Sequence, residues 1–259
     1  MVKELDILLL AIKEAGTAIL KIERSKMTSS RKLNLSIVTQ ADLEANQILK
    51  NRLLASFPED AWLSEECIDT AQRLTSKRVW VVDPIDGTKE YVAGVPEYAL
   101  SVALVEAGEP IIAAIFNPAT NQLFHAVKNQ GAWQGNKKLQ MKGFANTADL
   151  LLLASRTEYA RGEWKAIETH CQVKQMGSIA YKLALIAAGE AHATFSRTPK
   201  NEWDIAAGVL LVTEAGGIVT DKKKEAFVFN RKDLKVNGIV ASAATVYEEV
   251  YTLMHEHDH

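Results

Sequence analysis

Between residues 78 and 133 the chain places four apolar, strand-like runs in close succession, at 78–83, 98–108, 110–117 and 121–133. This is the feature that most limits its fold. The connections at 106–110 and 118–121 are too short to carry a crossover helix, so these runs are expected to pair as antiparallel hairpins. Apolar residues at helical spacing precede them over about 3–24 and 41–56. From about residue 149 the pattern changes to alternation: strand-like 150–155, a helix near 160–170, strand-like 173–176, a helix at 178–189, strand-like 193–196, a helix at 203–215 and strand-like 217–220. Alternation of this kind predicts a βαβ-type second lobe. The expected class is therefore α/β (α+β) in two lobes, 1–147 and 148–259, with no flexible tether at the boundary. A cleft between two such lobes is the default place for a ligand.

Composition removes several function classes. A chain of 259 residues with 47% apolar and 24% charged residues can bury a sizeable core, and its net charge of −2 without a long basic block argues against binding a nucleic-acid polymer. The N-terminal apolar run is broken by Lys13 and Glu14, which reads as an amphipathic helix and not as a signal peptide or membrane span. Cys67 and Cys171 are expected as free thiols in a reducing cytoplasm. Of six histidines, His255, His257 and His259 sit in the tail, read as a frayed terminus, which leaves His125, His170 and His192. The absence of H-E-x-x-H and of a Cys/His cluster disfavours a His-rich zinc site. Counting leaves a Ser-His-Asp triad open, though there is no G-x-S-x-G elbow, and oxygen ligands are the expected carriers of any chemistry.

The segment from Trp80 to Thr88 carries the strongest chemical signal. An apolar strand delivers Asp83, Pro84 stiffens the turn and Asp86 follows, so two carboxylates are held in a defined relation. Gly87 permits close backbone approach, and Thr88 adds a hydroxyl where a helix can start, a place whose exposed N–H groups attract anions. The plain alternative is a strand and turn with Asp86 as a helix cap. Other acids have plain alternatives too. Glu65 and Glu66 could be a solvated pair, Thr39 and Asp42 a capping box, and Asp204 a first-turn acid favoured by the helix dipole.

Taken in order, T-x-x-D at 39–42, Glu65-Glu66, D-P-I-D-G-T at 83–88 and W-D-x-A-A-G at 203–208 resemble the inositol monophosphatase superfamily over about residues 30–241. The resemblance implies a layered αβαβα sandwich of the sugar-phosphatase type with the site between the lobes. It implies a Mg²⁺-dependent, often Li⁺-sensitive phosphatase acting on a small phosphorylated metabolite, with two or three ions. By the same resemblance Glu65, Asp83, Asp86 and Asp204, with the Ile85 carbonyl, should ligate metal. Glu65 and Thr88 should orient the attacking water, with Asp42 paired to Thr88 as proton relay, and backbone N–H groups around Gly87 and Thr88 should hold the phosphate. Homodimers are common in the family.

Substrate choice follows finer features. Lys89-Glu90-Tyr91 resembles the D-G-T-K-E-[FY] of 3′(2′),5′-bisphosphate nucleotidases more than the D-G-T-[TV]-N-F of inositol phosphatases, and Ser155-Arg156 and Gly177-Ser178 with Lys182 point the same way. That branch acts on 3′-phosphoadenosine 5′-phosphate, and Arg156, Lys182 and Lys200 are candidates for its second phosphate. Three departures stand against it. Residues 197–202 replace the usual G-P-T, His192 stands where an acid is usual, and Asn34 stands where Asp is common. Inositol-1-phosphate is the alternative substrate, and a non-catalytic cation- or anion-binding protein is the reading from another class.

Overall fold

The computed structural model of the protein describes residues 1–22, 29–31, 37–141 and 149–256. Asn34, His257, His259 and the expected lobe boundary at 147/148 lie outside the described residues.

Five layers stack in the order helices, sheet, helices, sheet, helix. The first layer holds α1 (Val2–Lys21) and α2 (Gln40–Ser56). Helix α1 turns Leu8, Ala11, Ile12, Ala15 and Ile19 inward, the three-and-four spacing of one helical stripe. These residues and Leu49 and Leu53 of α2 pack on Trp80, Val82, Leu100, Val102 and Ala114 of the large sheet. A short antiparallel pair, β1 (Ser29–Arg31) and β2 (Ile37–Thr39), precedes α2.

The large sheet has seven strands in sequence order: β3 (Ala61–Ser64), β4 (Arg78–Asp86), β5 (Ala99–Glu106), β6 (Glu109–Asn117), β7 (Gln122–Val127), β8 (Gly131–Gln134) and β9 (Lys137–Leu139). Only the β3–β4 pair is parallel. The expected hairpins are present, with Ala107 and Gly108 at positive φ in one turn and Asn121 in the other. The single strand expected over 121–133 is two strands. The polar residues Lys128, Asn129 and Gln130 break it, with Asn129 at φ 62°.

The second sheet runs β11 (Gln172–Met176), β10 (Leu151–Ser155), β12 (Ala193–Ser196), β16 (Ile239–Ala243), β14 (Gly217–Thr220). Strand β10 is parallel to both β11 and β12, the pairing a βαβ lobe requires, while β14 and β16 run antiparallel. Helices α5 (Ile179–Ala187) and α6 (Glu202–Glu214) lie between the two sheets and bury apolar residues against both. On the outer face, α7 (Tyr247–Glu256) covers Val240 and Phe195 with Val250, Leu253 and Met254. The tail is therefore helical through Glu256, because this apolar stripe has a sheet to cover. The helix expected near 160–170 is shorter: α4 (Arg156–Ala160) and a 3₁₀ turn at Ile167–Thr169, separated at Gly162, whose φ is 84°. The bridge between β13 (Lys200–Asn201) and β15 (Lys235–Val236) sets the entry to α6. Helix α3 (Thr88–Ala93) follows β4, with Gly87 between them.

Candidate active site

Strand β4 ends beneath the N-termini of α5 and α6, and the acids of the Asp83–Thr88 motif open there into a cleft of about 570 Å³. Thirteen of the fourteen residues singled out from the sequence line it: Glu65, Asp83, Ile85, Asp86, Gly87, Thr88, Lys89, Arg156, Gly177, Ser178, Lys182, Lys200 and Asp204. Asp42 stands behind them, 1% exposed, and reaches the cleft through Thr88.

Asp83, Asp86 and Asp204 are each held by protein donors on one oxygen. Asp83 accepts the Ile85 N–H at 3.0 Å. Asp86 accepts the Ser178 hydroxyl at 2.7 Å and the Ala180 N–H at 2.6 Å. It thus caps the N-terminus of α5 from the opposite lobe, where the helix dipole favours a negative charge. The helix directly after it, α3, takes Gly87 as N-cap instead, at φ 94°. A side chain at Gly87 would also meet the Glu97 carbonyl at 2.9 Å. Asp204 accepts the Asn201 N–H at 2.9 Å, the capping-box bond expected of a first-turn acid. Ser178 sits at φ 54°, a sparsely populated region for a residue with a side chain; its hydroxyl donates to Asp86 and accepts the Tyr181 N–H at 3.0 Å.

Concentrating acids in a buried cleft disfavours their ionisation. Burial, reinforced by Glu65, Asp86 and Asp204, pushes Asp83 well above the ordinary carboxylate range. Burial also raises Asp204 to about 8, with Asp86 and Glu65 adding to it. Asp86 rises to about 6, since the Ser178 and Ala180 hydrogen bonds and Lys182 offset part of its burial. A bound cation would relieve all of these costs at once, and hard oxygen donors of this kind suit Mg²⁺. The donor set therefore fits the ion the sequence implies. Among the described residues no three His, Cys, Asp or Glu side chains form a ready-made cage.

Behind the acids lies a hydrogen-bonded chain. Thr88 Oγ1 is 3.2 Å from Asp42 Oδ1 and 3.1 Å from the Ile85 carbonyl. Asp42 Oδ2 accepts both the N–H and the hydroxyl of Thr39, at 2.8 and 2.6 Å. The capping box and the Thr88 contact thus use different oxygens of one carboxylate.

The cationic side of the cleft is organised by two acids that were not singled out from the sequence. Glu97 holds Arg156 and the Gly177 N–H. Glu158, 2% exposed, accepts the hydroxyls of Ser196 and Thr198, with Lys200 at 3.6 Å. Burial works to raise Glu158, but Lys200, Ser196 and Lys182 together hold it below its ordinary value. Lys182 is 3% exposed and burial lowers its ammonium to about 8. Tyr91 belongs to the core: fully buried, edge-on to Tyr98, it donates to the Ile19 carbonyl at 2.7 Å. Within Lys89-Glu90-Tyr91, only the first two residues face the cleft. His192 uses Nδ1 to accept the Leu151 N–H at 2.7 Å, an acceptor role that a carboxylate there could also fill.

The whole sequence, residues 2–259, matches the family model described as the inositol monophosphatase family. The chain belongs to the inositol monophosphatase family. Among its relatives it is 33% identical to the Nus factor SuhB of Xylella fastidiosa, over 84% of this chain and 82% of that protein. It is 31% identical to the inositol-1-monophosphatase of Rhizobium meliloti, over 84% and 85%. The fold is similar to that of a solved Thermotoga maritima IMPase, with a TM-score of 0.88 and 26% identity over 99% of this chain and 98% of that one. Its layered α/β architecture is that of the inositol monophosphatase family, and no helix among the described residues is long and apolar enough to cross a membrane.

Proposed function

We propose that the protein is a Mg²⁺-dependent phosphomonoesterase whose preferred substrate is a small metabolite carrying a second anionic group, most simply a 3′(2′),5′-bisphosphate nucleotide. The observation carrying this reading is the composition of the cleft wall. The cleft is lined by the acids Glu65, Asp83, Asp86, Asp204 and Glu90 and by the cations Lys89, Arg156, Lys182 and Lys200. Glu65, Asp83, Asp86, Asp204 and the Ile85 carbonyl would hold the metal. Once bound, Mg²⁺ supplies Lewis-acid activation of water and charge neutralisation at the phosphate. Even with Lys200 beside Glu158 and one edge of Arg156 on Glu97, Lys89, Lys182 and the remaining edge of Arg156 give the cleft more cationic donors than one metal-bound phosphate needs.

The remaining roles belong to the chain itself. Thr88 donates its hydroxyl hydrogen to Asp42 and keeps lone pairs for a water hydrogen, so a proton can pass from water to Thr88 as Thr88 passes its own to Asp42. Glu65 lines the same cleft and orients the same water. Asp42 is raised above its ordinary value chiefly by burial, which brings it closer to the range where a carboxylate is an effective base. Backbone N–H groups around Gly87 and Thr88 hold the phosphoryl oxygens, and Lys89 and Lys182 bind the rest of the substrate.

A second reading, an inositol-1-phosphate phosphatase, is favoured by the names of relatives such as the Rhizobium meliloti inositol-1-monophosphatase. Phosphate release with Mg²⁺ from adenosine 3′,5′-bisphosphate and from inositol-1-phosphate separates the two. A tenfold or greater preference for the nucleotide, about 1.4 kcal/mol in transition-state binding, is expected. The reverse preference selects the second reading. No release from either, or from fructose bisphosphate, leaves a non-catalytic binding protein.

A further inference from the structure

Glu97 ties Arg156 and Gly177 on the rim of the cleft to the segment between α3 and β5. Its side chain is 15% exposed. Its Oε2 accepts three N–H groups: Nε of Arg156 at 2.9 Å, Nη2 of Arg156 at 2.7 Å and the backbone N–H of Gly177 at 2.9 Å. Gly177 directly precedes Ser178, whose hydroxyl reaches Asp86. The backbone of Glu97 is itself fixed, because its carbonyl abuts Gly87 of the acidic motif.

A guanidinium offers five N–H donors in a rigid plane. Glu97 engages only the Nε and Nη2 edge of Arg156, and among the described residues Nη1 has no hydrogen-bond partner. Arg156 lines the cleft and its side chain is 41% exposed, so a donor fork fixed on one edge remains open to a ligand on the other. A planar fork of this kind suits an anionic oxygen group better than a neutral hydroxyl, through charge-assisted hydrogen bonds.

From this arrangement we infer that Glu97 is a positioning residue and Arg156 a specificity-determining one: Glu97 aims the free edge of Arg156 at a second phosphate of the substrate, the one that is not hydrolysed. The inference rests on the phosphatase reading and names the part of the substrate that Arg156 reads.

Adenosine 3′,5′-bisphosphate and adenosine 3′-monophosphate differ only in that second phosphate and make the test direct. Phosphate release is measured for wild type, Arg156→Gln, Glu97→Gln and the double variant. Glutamine at 97 keeps an acceptor for the Gly177 N–H while removing the charge that holds Arg156. Wild type is expected to favour the bisphosphate in kcat/KM by about tenfold or more, and Arg156→Gln to erase that preference. Glu97→Gln should raise KM for the bisphosphate alone by roughly three- to tenfold with kcat unchanged, and the double variant should be no worse than Arg156→Gln. Equal losses on both substrates, additive losses, or a preference that survives Arg156→Gln overturn the inference while leaving the phosphatase reading intact, as does a wild type without preference. Absence of phosphate release from every substrate overturns both. Should Glu97→Gln fail to fold, the Arg156→Gln comparison decides the matter by the same outcomes.

Discussion

Replacing Asp42 by Asn separates the structural from the chemical part of that side chain. Oδ2 accepts two donors from Thr39, so the Asn carbonyl oxygen is expected to take its place and keep the cap of α2. The amide NH₂ then falls where Oδ1 now faces Thr88. Thr88 must accept from that amide and turn its own hydrogen to the Ile85 carbonyl, 3.1 Å away. No oxygen remains to receive a proton from Thr88. The expected cost is 10²- to 10⁴-fold in turnover, about 2.7–5.5 kcal/mol, the usual worth of a positioned proton acceptor. Stability should move the other way. Burial raises Asp42 above its ordinary value, so the stability linked to its proton is complete below the unfolded value and is lost as pH rises through the folded one. At neutral pH a neutral Asn avoids that loss, and the melting temperature should match or exceed wild type. Phosphate release with Mg²⁺ and thermal unfolding measure both sides. Turnover within about threefold of wild type would refute the relay and leave Asp42 as a cap only.

Three further outcomes follow from packing and protonation. A Cβ at Gly208 would lie 2.3 Å from Leu183 Cδ1 where α5 and α6 touch, so Gly208→Ala should cost about 1–3 kcal/mol in denaturant unfolding. Burial lowers His192 below its ordinary value, so below about pH 6.5 the unfolded chain binds the extra proton first and stability falls; His192→Ala, compared by melting temperature, should flatten that acid-side decline. Burial pushes the Cys171 thiol up to about 11, so iodoacetamide at pH 8 should label the more exposed Cys67 well before Cys171, read by peptide mass.

Much of the site could be read from the sequence because its chemistry is local. Asp83, Asp86, Gly87 and Thr88 come from one strand end and its turn, where residue type and spacing already determine what can happen. The hairpins were legible for the same reason, since a short turn leaves a strand one partner. What could not be read depends on contacts between distant segments. Arg156 and Glu97 are 59 residues apart, and nothing near Glu97 marks it as the holder of an arginine. Ser196 and Glu158 meet across 38 residues on neighbouring elements of the second lobe. Asp86 was read as a possible local cap, yet it caps a helix beginning more than ninety residues later, at Ser178 and Ala180. Tyr91, part of the signal taken for substrate choice, spends its hydroxyl on the Ile19 carbonyl in the core. Strand β16 and helix α7 escaped notice because a short apolar run and a charged amphipathic tail gain their stability only from the sheet they complete.

The central claim is that Glu65, Asp83, Asp86 and Asp204 share a divalent cation, and calorimetric titration of Mg²⁺ at pH 7, in two buffers of different ionisation heat, tests it most directly. Burial raises Asp204 to about 8, so at pH 7 it holds a proton that an arriving cation must displace, and burial shifts Asp83 in the same direction. The prediction is saturable Mg²⁺ binding with net proton release, diminished in a folded Asp204→Asn protein. Absence of binding, or binding of equal strength and proton count in Asp83→Asn, Asp86→Asn and Asp204→Asn, would contradict it.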